Sequence, residues 1–394
     1  GPRRGGLGRP HPLRDRMGPR GRRGAGAPSP LPPPRPPRRA PRPSGDAGDA
    51  MTLPAAMQAL VTREGGYANN PGPRIDALGD WCELRELPVP EPAEGQVVVR
   101  VGLASVNPSD LHYVKGSYGQ PRIAGGAAGF EGMGEVVAGK GKAAEGLVGA
   151  RVAFVAPQAG AWAEYVALDH SIVIPLRPDL RDEDAAAQIV NPLTAMAMFD
   201  LVREAKAEAF VASAAASQLG KLLAGLARDE GLPMIALVRR ESQLELLKEK
   251  GAAEALLTTA PDLAERFAEA ARRLKPRVLL DAVADQVSAD LFFAMPNRAR
   301  WVVYGQLDAA GPHLPQIGSL IFTGKRIEGF WLSDWMRTAS QDRRVGVVQE
   351  VQARFADGRW RTDVTATLSL AEALDGLAEA LKTPDGKVMI RPNG

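Results

Sequence analysis

The pattern of apolar and polar positions changes near residue 185 and predicts two kinds of structure. Before that point, short runs rich in β-branched residues are separated by turns rich in glycine and proline, which is typical of strands in an irregular β domain. The strands predicted there are 57–61, 81–86, 96–102, 151–155, 162–166 and 171–175. Glycine is dense from Gly116 to Gly149, and no strand is predicted within that stretch.

After residue 185, strand and helix patterns alternate, which predicts a parallel sheet covered by helices on both faces. The predicted strands are 210–212, 234–239, 255–257, 278–283 and 301–304, and the helices between them are 218–228, 241–250, 261–274 and 287–295. The second of these helices has a capping-box spacing from Ser242 to Glu245 and stops at Gly251. A last helix, 370–381, and a last strand, 387–391, are expected to return to the first domain.

Charge and proline content separate the first 50 residues from the rest. Residues 1–50 hold 12 Arg and no Lys against 3 Asp, together with 13 of the 33 prolines. They lack the apolar residues for a core, so this tail is predicted to be disordered. We interpret it as an expression artefact or a misassigned gene start, with an organelle transit segment or an RNA-binding arm as alternatives. The rest of the chain has a mild acidic excess, so no nucleic-acid partner is expected.

The chain has one cysteine, Cys82, and four histidines without the spacing of a metal site. A disulfide within the chain is impossible, which fits a reducing compartment, so the cytoplasm is the predicted location. The mitochondrion is the alternative if the tail acts as a transit segment. No run approaches ~18 apolar residues, so neither a membrane span nor a membrane partner is predicted.

The most specific chemical signal is a strand that enters a turn of small residues and then a helix, at 210–220. Backbone N–H groups at the start of such a helix bind the pyrophosphate of a dinucleotide. The residues predicted to do so are Ala216, Ser217, Gln218 and Leu219. Only the last position of the G-x-G-x-x-G pattern, Gly220, is glycine, so an ordinary turn without a ligand is the alternative.

Two arginines follow the next strand, at the position that contacts the adenosine ribose, about 20 residues past the phosphate turn. An Asp or Glu there would accept hydrogen bonds from the ribose 2′-hydroxyl, whereas Arg239 and Arg240 can bind a 2′-phosphate. The sequence therefore predicts NADPH rather than NADH as the cofactor. A solvated pair of arginines is the alternative.

Seven short motifs occur in a fixed order around this nucleotide unit. They are Asn107-Pro-Ser-Asp-Leu111, Gly116-Ser-Tyr-Gly119, Gly129-Phe-Glu-Gly-Met-Gly134, Asn191-Pro-Leu-Thr-Ala195, Tyr304-Gly305, Phe330-Trp-Leu-Ser333 and Gly386-Lys387. Together they resemble the zinc-independent branch of the medium-chain dehydrogenase/reductase superfamily, from about residue 57 to the C-terminus. Within this branch, the mitochondrial-type trans-2-enoyl thioester reductases and the NADPH:quinone oxidoreductases are the most similar groups.

The resemblance implies an α/β fold in which a doubly wound Rossmann domain with a parallel sheet is inserted into a GroES-like, β-rich domain. The implied bounds are 1–50 for the tail, 51–189 for the first part of the catalytic domain, 190–322 for the Rossmann domain and 323–394 for the return segment. Zinc-dependent relatives carry a metal-binding cysteine where this chain has Asn107, and a His-Glu pair near Phe130 and Glu131. Neither position is Cys or His here, so no metal is expected.

Tyr118 corresponds, by resemblance, to the catalytic tyrosine of the enoyl reductases. Hydride transfer from NADPH to the β-carbon of an enoyl thioester leaves enolate charge on the thioester oxygen. A phenol near that oxygen can donate a hydrogen bond, or supply the proton that reaches the α-carbon. Without the resemblance, Tyr118 would be interpreted as a packing residue in a glycine-rich loop.

The resemblance also implies coenzyme contacts for Asn191, Tyr304, Gly305, Phe330, Trp331, Leu332 and Lys387. From the pattern alone, Asn191 is predicted to be a helix N-cap before a proline at the first helical position. The alternatives for the others are hydrophobic core or a dimer seam at 304–305 and 330–333, and a solvated surface residue at Lys387.

Three further polar residues near these motifs are not expected to be catalytic. Asp110 is predicted to cap local backbone, Glu131 to line the cleft, and His112 to lie in a loop.

These observations predict an NADPH-dependent reductase that transfers a hydride to the C=C bond of a small-molecule substrate, with a trans-2-enoyl thioester preferred. An NADPH:quinone oxidoreductase is the first alternative, and a catalytically silent NADPH-binding member of the superfamily is the second. A homodimer is expected from the resemblance alone.

Overall fold

The structure is a computed structural model that describes residues 53–393 apart from 157, 159 and 384, so the predicted tail at 1–50 lies outside the described residues. The strands are β1 (Ala56–Thr62), β2 (Cys82–Pro88), β3 (Gln96–Ser105), β4 (Glu131–Gly139), β5 (Arg151–Val155), β6 (Tyr165–Asp169), β7 (Val173–Pro175), β8 (Ala209–Ala212), β9 (Met234–Val238), β10 (Glu254–Leu257), β11 (Pro276–Asp281), β12 (Arg300–Val303), β13 (Arg326–Gly329), β14 (Val364–Ser369) and β15 (Lys387–Arg391). The helices are α1 (Pro108–Val114), α2 (Lys142–Glu145), α3 (Asp182–Ala186), α4 (Val190–Glu204), α5 (Gln218–Glu230), α6 (Ser242–Lys250), α7 (Leu263–Leu274), α8 (Gln286–Ala294), α9 (Leu320–Thr323), α10 (Leu332–Thr338), α11 (Gln341–Ala356) and α12 (Leu370–Ala380).

Six strands form a parallel sheet in the order β10-β9-β8-β11-β12-β13. The order of strands along the chain reverses between β8 and β11, which lie side by side in the sheet. Parallel sheets with such a reversal have a crevice at the carboxyl ends of the strands, and ligands bind there. The predicted doubly wound Rossmann class is therefore confirmed.

Alternation of side chains along β8 explains how this sheet is buried on both faces. Phe210 and Ala212 belong to a core that includes residues of α4, α5 and α11. Val211, between them, belongs to the core on the opposite face, which includes residues of α7 and α8. All three side chains are fully buried, so the short apolar run has no polar face to present to water.

The other large sheet has the order β14-β15-β3-β4-β5-β7, with β6 paired to β3 outside this path. The last strand, β15, pairs antiparallel with β3 through Met389 and Ile390, which returns the chain to its first sheet. This GroES-like part holds β1 and β2 as a separate antiparallel pair. The predicted domain bounds stay a prediction, and β13, at 326–329, lies beyond the predicted end of the Rossmann domain at 322.

Strand β4 is absent from the elements predicted by sequence because glycine interrupts its pattern. The glycines are needed for close approach to β3: a Cβ on Gly134 would lie 2.1 Å from the carbonyl oxygen of Arg100, and one on Gly132 would lie 2.9 Å from that of Leu103. The strand predicted at 162–166 is displaced to β6, and β13 and β14 were also not predicted. Glycine therefore marks tight strand pairing here and not loops.

Two predicted helix starts are wrong. Helix α6 begins at Ser242, so its N-cap is Glu241 and not Ser242. Glu241 makes no side-chain cap hydrogen bond, and the predicted capping box does not form. Asn191 lies in the first turn of α4, which begins at Val190, and is not its N-cap. In both helices the residue before the first turn already has helical backbone angles, whereas a capping residue needs an extended conformation.

The chain's one cysteine, Cys82, begins β2 and is fully buried among the side chains of the first sheet. Burial disfavours the charged thiolate and raises the pKa of the Cys82 thiol to about 12. The thiol is therefore protonated and shielded from solvent in the folded state.

In the turn between β8 and α5, the start of the helix packs closely against the backbone of the turn, although only one glycine of the expected pattern is present. Ala214 has a left-handed backbone angle, φ 45°, a conformation that glycine adopts at lower cost. Ser217 is the N-cap of α5, and its Oγ accepts a hydrogen bond from the Gly220 N–H at 3.2 Å. A Cβ on Gly220 would lie 2.3 Å from the carbonyl oxygen of Ala215, so only glycine fits there.

The variant Gly220→Ala is expected to lower the free energy of unfolding by about 2 kcal/mol or more, because the new methyl group meets backbone that cannot rotate away. Chemical denaturation measures this change. The matched control is Gly346→Ala in α11, where a Cβ would meet nothing within 4 Å and where alanine should stabilise the helix by up to about 1 kcal/mol. Equal effects of the two substitutions would contradict the close approach at the turn.

Candidate active site

A cavity of about 970 Å³ lies at the carboxyl ends of the parallel strands. The segments that follow β8, β9, β11, β12 and β13 form one wall, and residues around α1 and before β15 form the other. All the predicted site residues line it: Tyr118, Asn191, Ala216, Ser217, Gln218, Leu219, Arg239, Arg240, Tyr304, Gly305, Phe330, Trp331, Leu332 and Lys387. The structure therefore brings residues from widely separated motifs to one crevice.

The N-terminus of α5 gives this cavity an anion-binding end. Backbone N–H groups of the first turn and the helix dipole attract negative charge there. The side chain of Gln218 is committed elsewhere, because its Nε2 donates to the carbonyl oxygen of Arg361 at 2.7 Å. Ser217 uses Oγ as the helix cap, which leaves its hydroxyl proton available to a ligand.

The two arginines after β9 differ in their surroundings. Arg240 donates from its guanidinium to Oδ1 of Asp385 at 2.9 Å, and Gln243 Nε2 donates to the same oxygen at 2.6 Å. Arg239 is exposed at the cavity wall and makes no hydrogen bond or ion pair with the described residues. One of the two guanidinium groups is therefore already neutralised within the protein, and the other is available to an anion.

An aromatic cluster lines another part of the cavity. The indole Nε1 of Trp331 donates to the Tyr118 hydroxyl at 3.0 Å, and the Tyr118 ring lies 5.0 Å from that of Phe130. Burial raises the pKa of Tyr118, although the hydrogen bonds from Trp331 and Ser333 oppose the shift. Tyr118 is therefore a neutral phenol near neutral pH, whose oxygen accepts from the indole and whose O–H is a hydrogen-bond donor.

A buried lysine side chain also lines the cavity. Lys387, at the start of β15, is 5% exposed, and its Nζ donates to Asn107 Oδ1 at 2.5 Å and to the carbonyl oxygen of Val106 at 3.3 Å. Burial lowers the pKa of Lys387, while the charges of Glu131 and Asp110 act against this shift. The predicted alternative of a solvated surface lysine is therefore wrong.

The Asn107 side chain connects this ammonium to a buried carboxylate. Its Nδ2 donates to Glu131 Oε1 at 2.8 Å, and the other oxygen of Glu131 accepts from the backbone N–H groups of Ile189 at 3.2 Å and Val190 at 2.8 Å. Glu131 is fully buried and is not part of the cavity wall, contrary to the prediction that it lines the cleft. The network therefore joins β15, the start of α1, β4 and the start of α4.

Asp110 completes the buried charge. Its carboxylate accepts from the backbone N–H of Asn107 at 2.7 Å and of Phe130 at 2.8 Å, in agreement with the predicted backbone cap. Burial raises the pKa of Asp110 to about 7, and the neighbouring charge of Glu131 acts in the same direction. Among the described residues, no group of His, Cys, Asp and Glu is arranged to bind a metal ion.

Two residues directly after β12 are of interest: the Tyr304 hydroxyl has no hydrogen-bond partner among the described residues, and Gly305 packs closely against the backbone of Ala282. The Tyr304 hydroxyl is buried, and burial raises its pKa above the usual range of a phenol. A Cβ on Gly305 would lie 2.8 Å from the carbonyl oxygen of Ala282. A buried phenol without a partner is costly, so a ligand or water is expected to satisfy it.

Sequence reasoning missed several residues of the cavity wall. Asp385 and Gln243 lie beside Arg240, and His112 lines the cavity from helix α1, not from the predicted loop. His112 Nδ1 is 3.1 Å from Ser117 Oγ. The Pro-Asp-Gly run at 384–386 predicts a turn, but no local pattern shows that this turn reaches a strand more than a hundred residues earlier.

Residues 93–178 match the family described as alcohol dehydrogenase GroES-like domain. A solved structure from Mesorhizobium loti, provisionally named an NADPH:quinone reductase, is 48% identical, with 87% of this chain and all of that chain covered and a TM-score of 0.83. The superposition therefore extends over nearly all of the described residues.

Two more distant relatives carry the name of the other predicted group. The mitochondrial enoyl-[acyl-carrier-protein] reductase of Bos taurus is 27% identical over 76% of this chain and 79% of its own length. The mitochondrial 2-enoyl thioester reductase heterodimer of Candida tropicalis shares the fold at 19% identity, with a TM-score of 0.71 over 85% of this chain and 99% of that chain.

The variant Lys387→Met is expected to lower the free energy of unfolding by about 3 kcal/mol, because it leaves Asn107 Oδ1 without its donor and the buried carboxylates without a compensating charge. Denaturant titration at neutral pH measures this change. Lys382→Met is the control: its ammonium is paired with Glu379 and its side chain is 71% exposed, so the loss should be about 0.5 kcal/mol or less. A loss at Lys387 as small as that at Lys382 would show that the ammonium does not stabilise the network.

Proposed function

The chain belongs to the medium-chain dehydrogenase/reductase superfamily, and from this premise we propose that it is an NADPH-dependent reductase of the C=C bond of trans-2-enoyl thioesters. The observation that carries the proposal is the pairing of Tyr118 with Trp331 in the same cavity that Arg239 lines. A phenolic proton donor and a site for a phosphorylated coenzyme are the two groups that such a reduction needs.

Three features of the described residues fit a phosphorylated dinucleotide. The turn around Gly220 allows backbone to approach a pyrophosphate closely. The Arg239 guanidinium has no partner and can bind a 2′-phosphate through charge-assisted hydrogen bonds. The unpartnered hydroxyl of Tyr304 gives the nicotinamide half of the cavity a further donor. We therefore propose that Ala216, Ser217, Gln218 and Leu219 hold the pyrophosphate, and that Asn191, Tyr304, Gly305, Phe330, Leu332 and Lys387 surround the nicotinamide.

NADPH, when bound, supplies the hydride for the β-carbon of the substrate. Tyr118 is then the group that meets the negative charge that develops on the thioester oxygen. Burial keeps it protonated, and since Trp331 donates to its oxygen, its O–H is the group that it can offer to an acceptor in the cavity. A neutral phenol in a partly dry site stabilises an enolate by a short hydrogen bond, or transfers the proton that ends on the α-carbon.

A quinone reductase is the second candidate, supported by the name of the Mesorhizobium loti structure. A quinone accepts hydride at a site that needs no carbon protonation, so the phenol would be of little consequence for its rate. The Tyr118–Trp331 hydrogen bond therefore favours the enoyl substrate, for which a positioned proton donor contributes directly.

The proposed location is the cytoplasm, supported by the single buried cysteine, which forms no disulfide within the chain. The mitochondrion is the alternative, since the relatives from Bos taurus and Arabidopsis thaliana carry that location in their names. None of the helices in the described part of the chain combines the length and apolar character needed to cross a bilayer.

A homodimer is the proposed assembly. Strand β13 is an edge of the parallel sheet, with Ile327 exposed on it, and Ile321 and Phe322 of the neighbouring helix α9 are 79% and 86% exposed. Exposed edges and large apolar side chains are usually covered in a native assembly. A second copy related by a two-fold axis would pair β13 with β13 and cover the same patch twice.

The variant Tyr118→Phe should lower kcat with crotonyl-coenzyme A about 10²-fold, because only the proton donor is removed, and should leave quinone reduction nearly unchanged. The rate of NADPH consumption, followed by its ultraviolet absorbance, tests both substrates. Tyr165→Phe, on β6 and outside the cavity, is the matched control. Unchanged enoyl reduction in Tyr118→Phe would refute the assigned role, and no turnover of either substrate by the natural chain would refute the proposed reductase.

Sedimentation of the natural chain should give twice the chain mass of 41.9 kDa. Phe322→Glu should shift the protein to the monomer, because burying a carboxylate in the symmetric patch would place two like charges together. Tyr67→Glu, which changes an aromatic residue that is 66% exposed elsewhere, should leave the dimer intact. A dimer that resists the change at Phe322 would show that another surface is used.

A further inference from the structure

Asp385, two residues before β15, places a carboxylate at the cavity wall beside the end of β9. Asp385 receives hydrogen bonds from Arg240 and Gln243 on one side, through its Oδ1. Its carbonyl oxygen accepts from Lys221 Nζ of helix α5 at 2.6 Å. Two independent anchors therefore fix this residue beside the arginines, although it lies 145 positions away from Arg240 along the chain.

Because of Asp385, the site around the two arginines carries less positive charge than the sequence indicates. Asp385 and Arg240 compensate each other, and both line the cavity. Arg239 is left as the uncompensated positive charge of the pair. A ligand at this site can therefore contact the free guanidinium of Arg239 and the carboxylate of Asp385, whose Oδ2 can still accept a hydrogen bond.

Resting on the proposed use of a nicotinamide coenzyme, we propose that Asp385 is a specificity-determining residue that limits the preference for NADPH over NADH. Its carboxylate repels a 2′-phosphate, and it supplies the acceptor for a ribose 2′-hydroxyl that other dinucleotide sites place at the end of the second strand. In this chain that acceptor comes from the loop before β15, and the strand end carries arginine. The enzyme therefore binds both coenzymes, with NADPH preferred by Arg239.

The opposite role, in which Asp385 helps NADPH by holding Arg240 in place, is the weaker effect. The Arg240 side chain is 45% exposed and that of Asp385 is 29% exposed. Ion pairs with such exposure shift an equilibrium by at most about fivefold. A 2′-phosphate carries close to two negative charges, and its repulsion by a carboxylate about 5 Å away amounts to about tenfold even at the dielectric constant of water.

The variant Asp385→Asn isolates the charge. Asp385 has a left-handed backbone angle, φ 70°, which asparagine tolerates and most other residues do not. The amide also keeps an oxygen that accepts from Arg240 and Gln243. Calorimetric titration of the full chain should show NADPH binding about tenfold tighter and NADH binding unchanged or weaker, and the gain for NADPH should shrink at high salt.

Two further comparisons ensure that the test does not depend on the Asp385→Asn variant alone. Arg239→Gln should weaken NADPH binding more than Arg240→Gln does, because the charge of Arg240 is already offset. Asp179→Asn removes a carboxylate from an Asp–Arg pair of similar exposure outside the cavity and should change neither affinity.

Each result decides between the alternatives. Weaker binding of NADPH to Asp385→Asn, or equal changes for both coenzymes, would show that Asp385 only positions Arg240 and would overturn the inference. A natural chain that binds both coenzymes with a preference unaltered by Asp385→Asn would overturn it as well, while leaving the proposed function intact. Absence of saturable binding of either coenzyme to the natural chain would overturn both.

Discussion

The buried ammonium of Lys387 places the strictest requirement on the rest of the structure. A charge that is removed from water must be hydrogen-bonded and balanced, and the groups that do this come from four separate segments of the chain. Asn107 passes the interaction to Glu131, which in turn holds the first backbone N–H groups of α4. Because α4 leads into the parallel sheet and Lys387 belongs to the other sheet, satisfying one buried charge also fixes the two walls of the cavity relative to each other.

The same network builds the inner part of the cleft around a lysine and an amide. A metal ion would bring positive charge to such a cleft, and in this chain a buried lysine and an amide are found beside Glu131. Lys387 is not aimed at an oxyanion as a metal ion would be, since Asn107 receives its shortest hydrogen bond. The polarising group that remains for a substrate is the phenol of Tyr118, which is neutral and held by Trp331. Electrostatics thus favours a proton donor over a Lewis acid in this cavity.

The sequence predicts the parallel sheet and the phosphate turn because both depend on local patterns, whereas most of the other predicted residues of the cavity wall came from the family resemblance. An apolar strand followed by a turn and a helix necessarily brings 216–219 to the carboxyl edge, and the next strand brings Arg239 to the same edge. What it could not predict depends on contacts between distant segments. The glycines of β4 resemble loop residues until the carbonyl groups of β3 are seen against them. Asp385 resembles an ordinary turn residue in the sequence. Its partner Arg240 lies 145 positions earlier, after a strand of the parallel sheet.

The buried position of Cys82 allows chemical modification of its thiol to report local unfolding of the protein. With no other sulfhydryl in the sequence, any reaction with a maleimide or disulfide reagent must occur at this position. The side chain has no contact with solvent and keeps its proton at physiological acidity, so modification requires that the strand pair β1–β2 separate from the sheet beneath it. The rate of alkylation in native buffer therefore measures how often that region opens, and a cysteine introduced at the surface could be labelled selectively beside it.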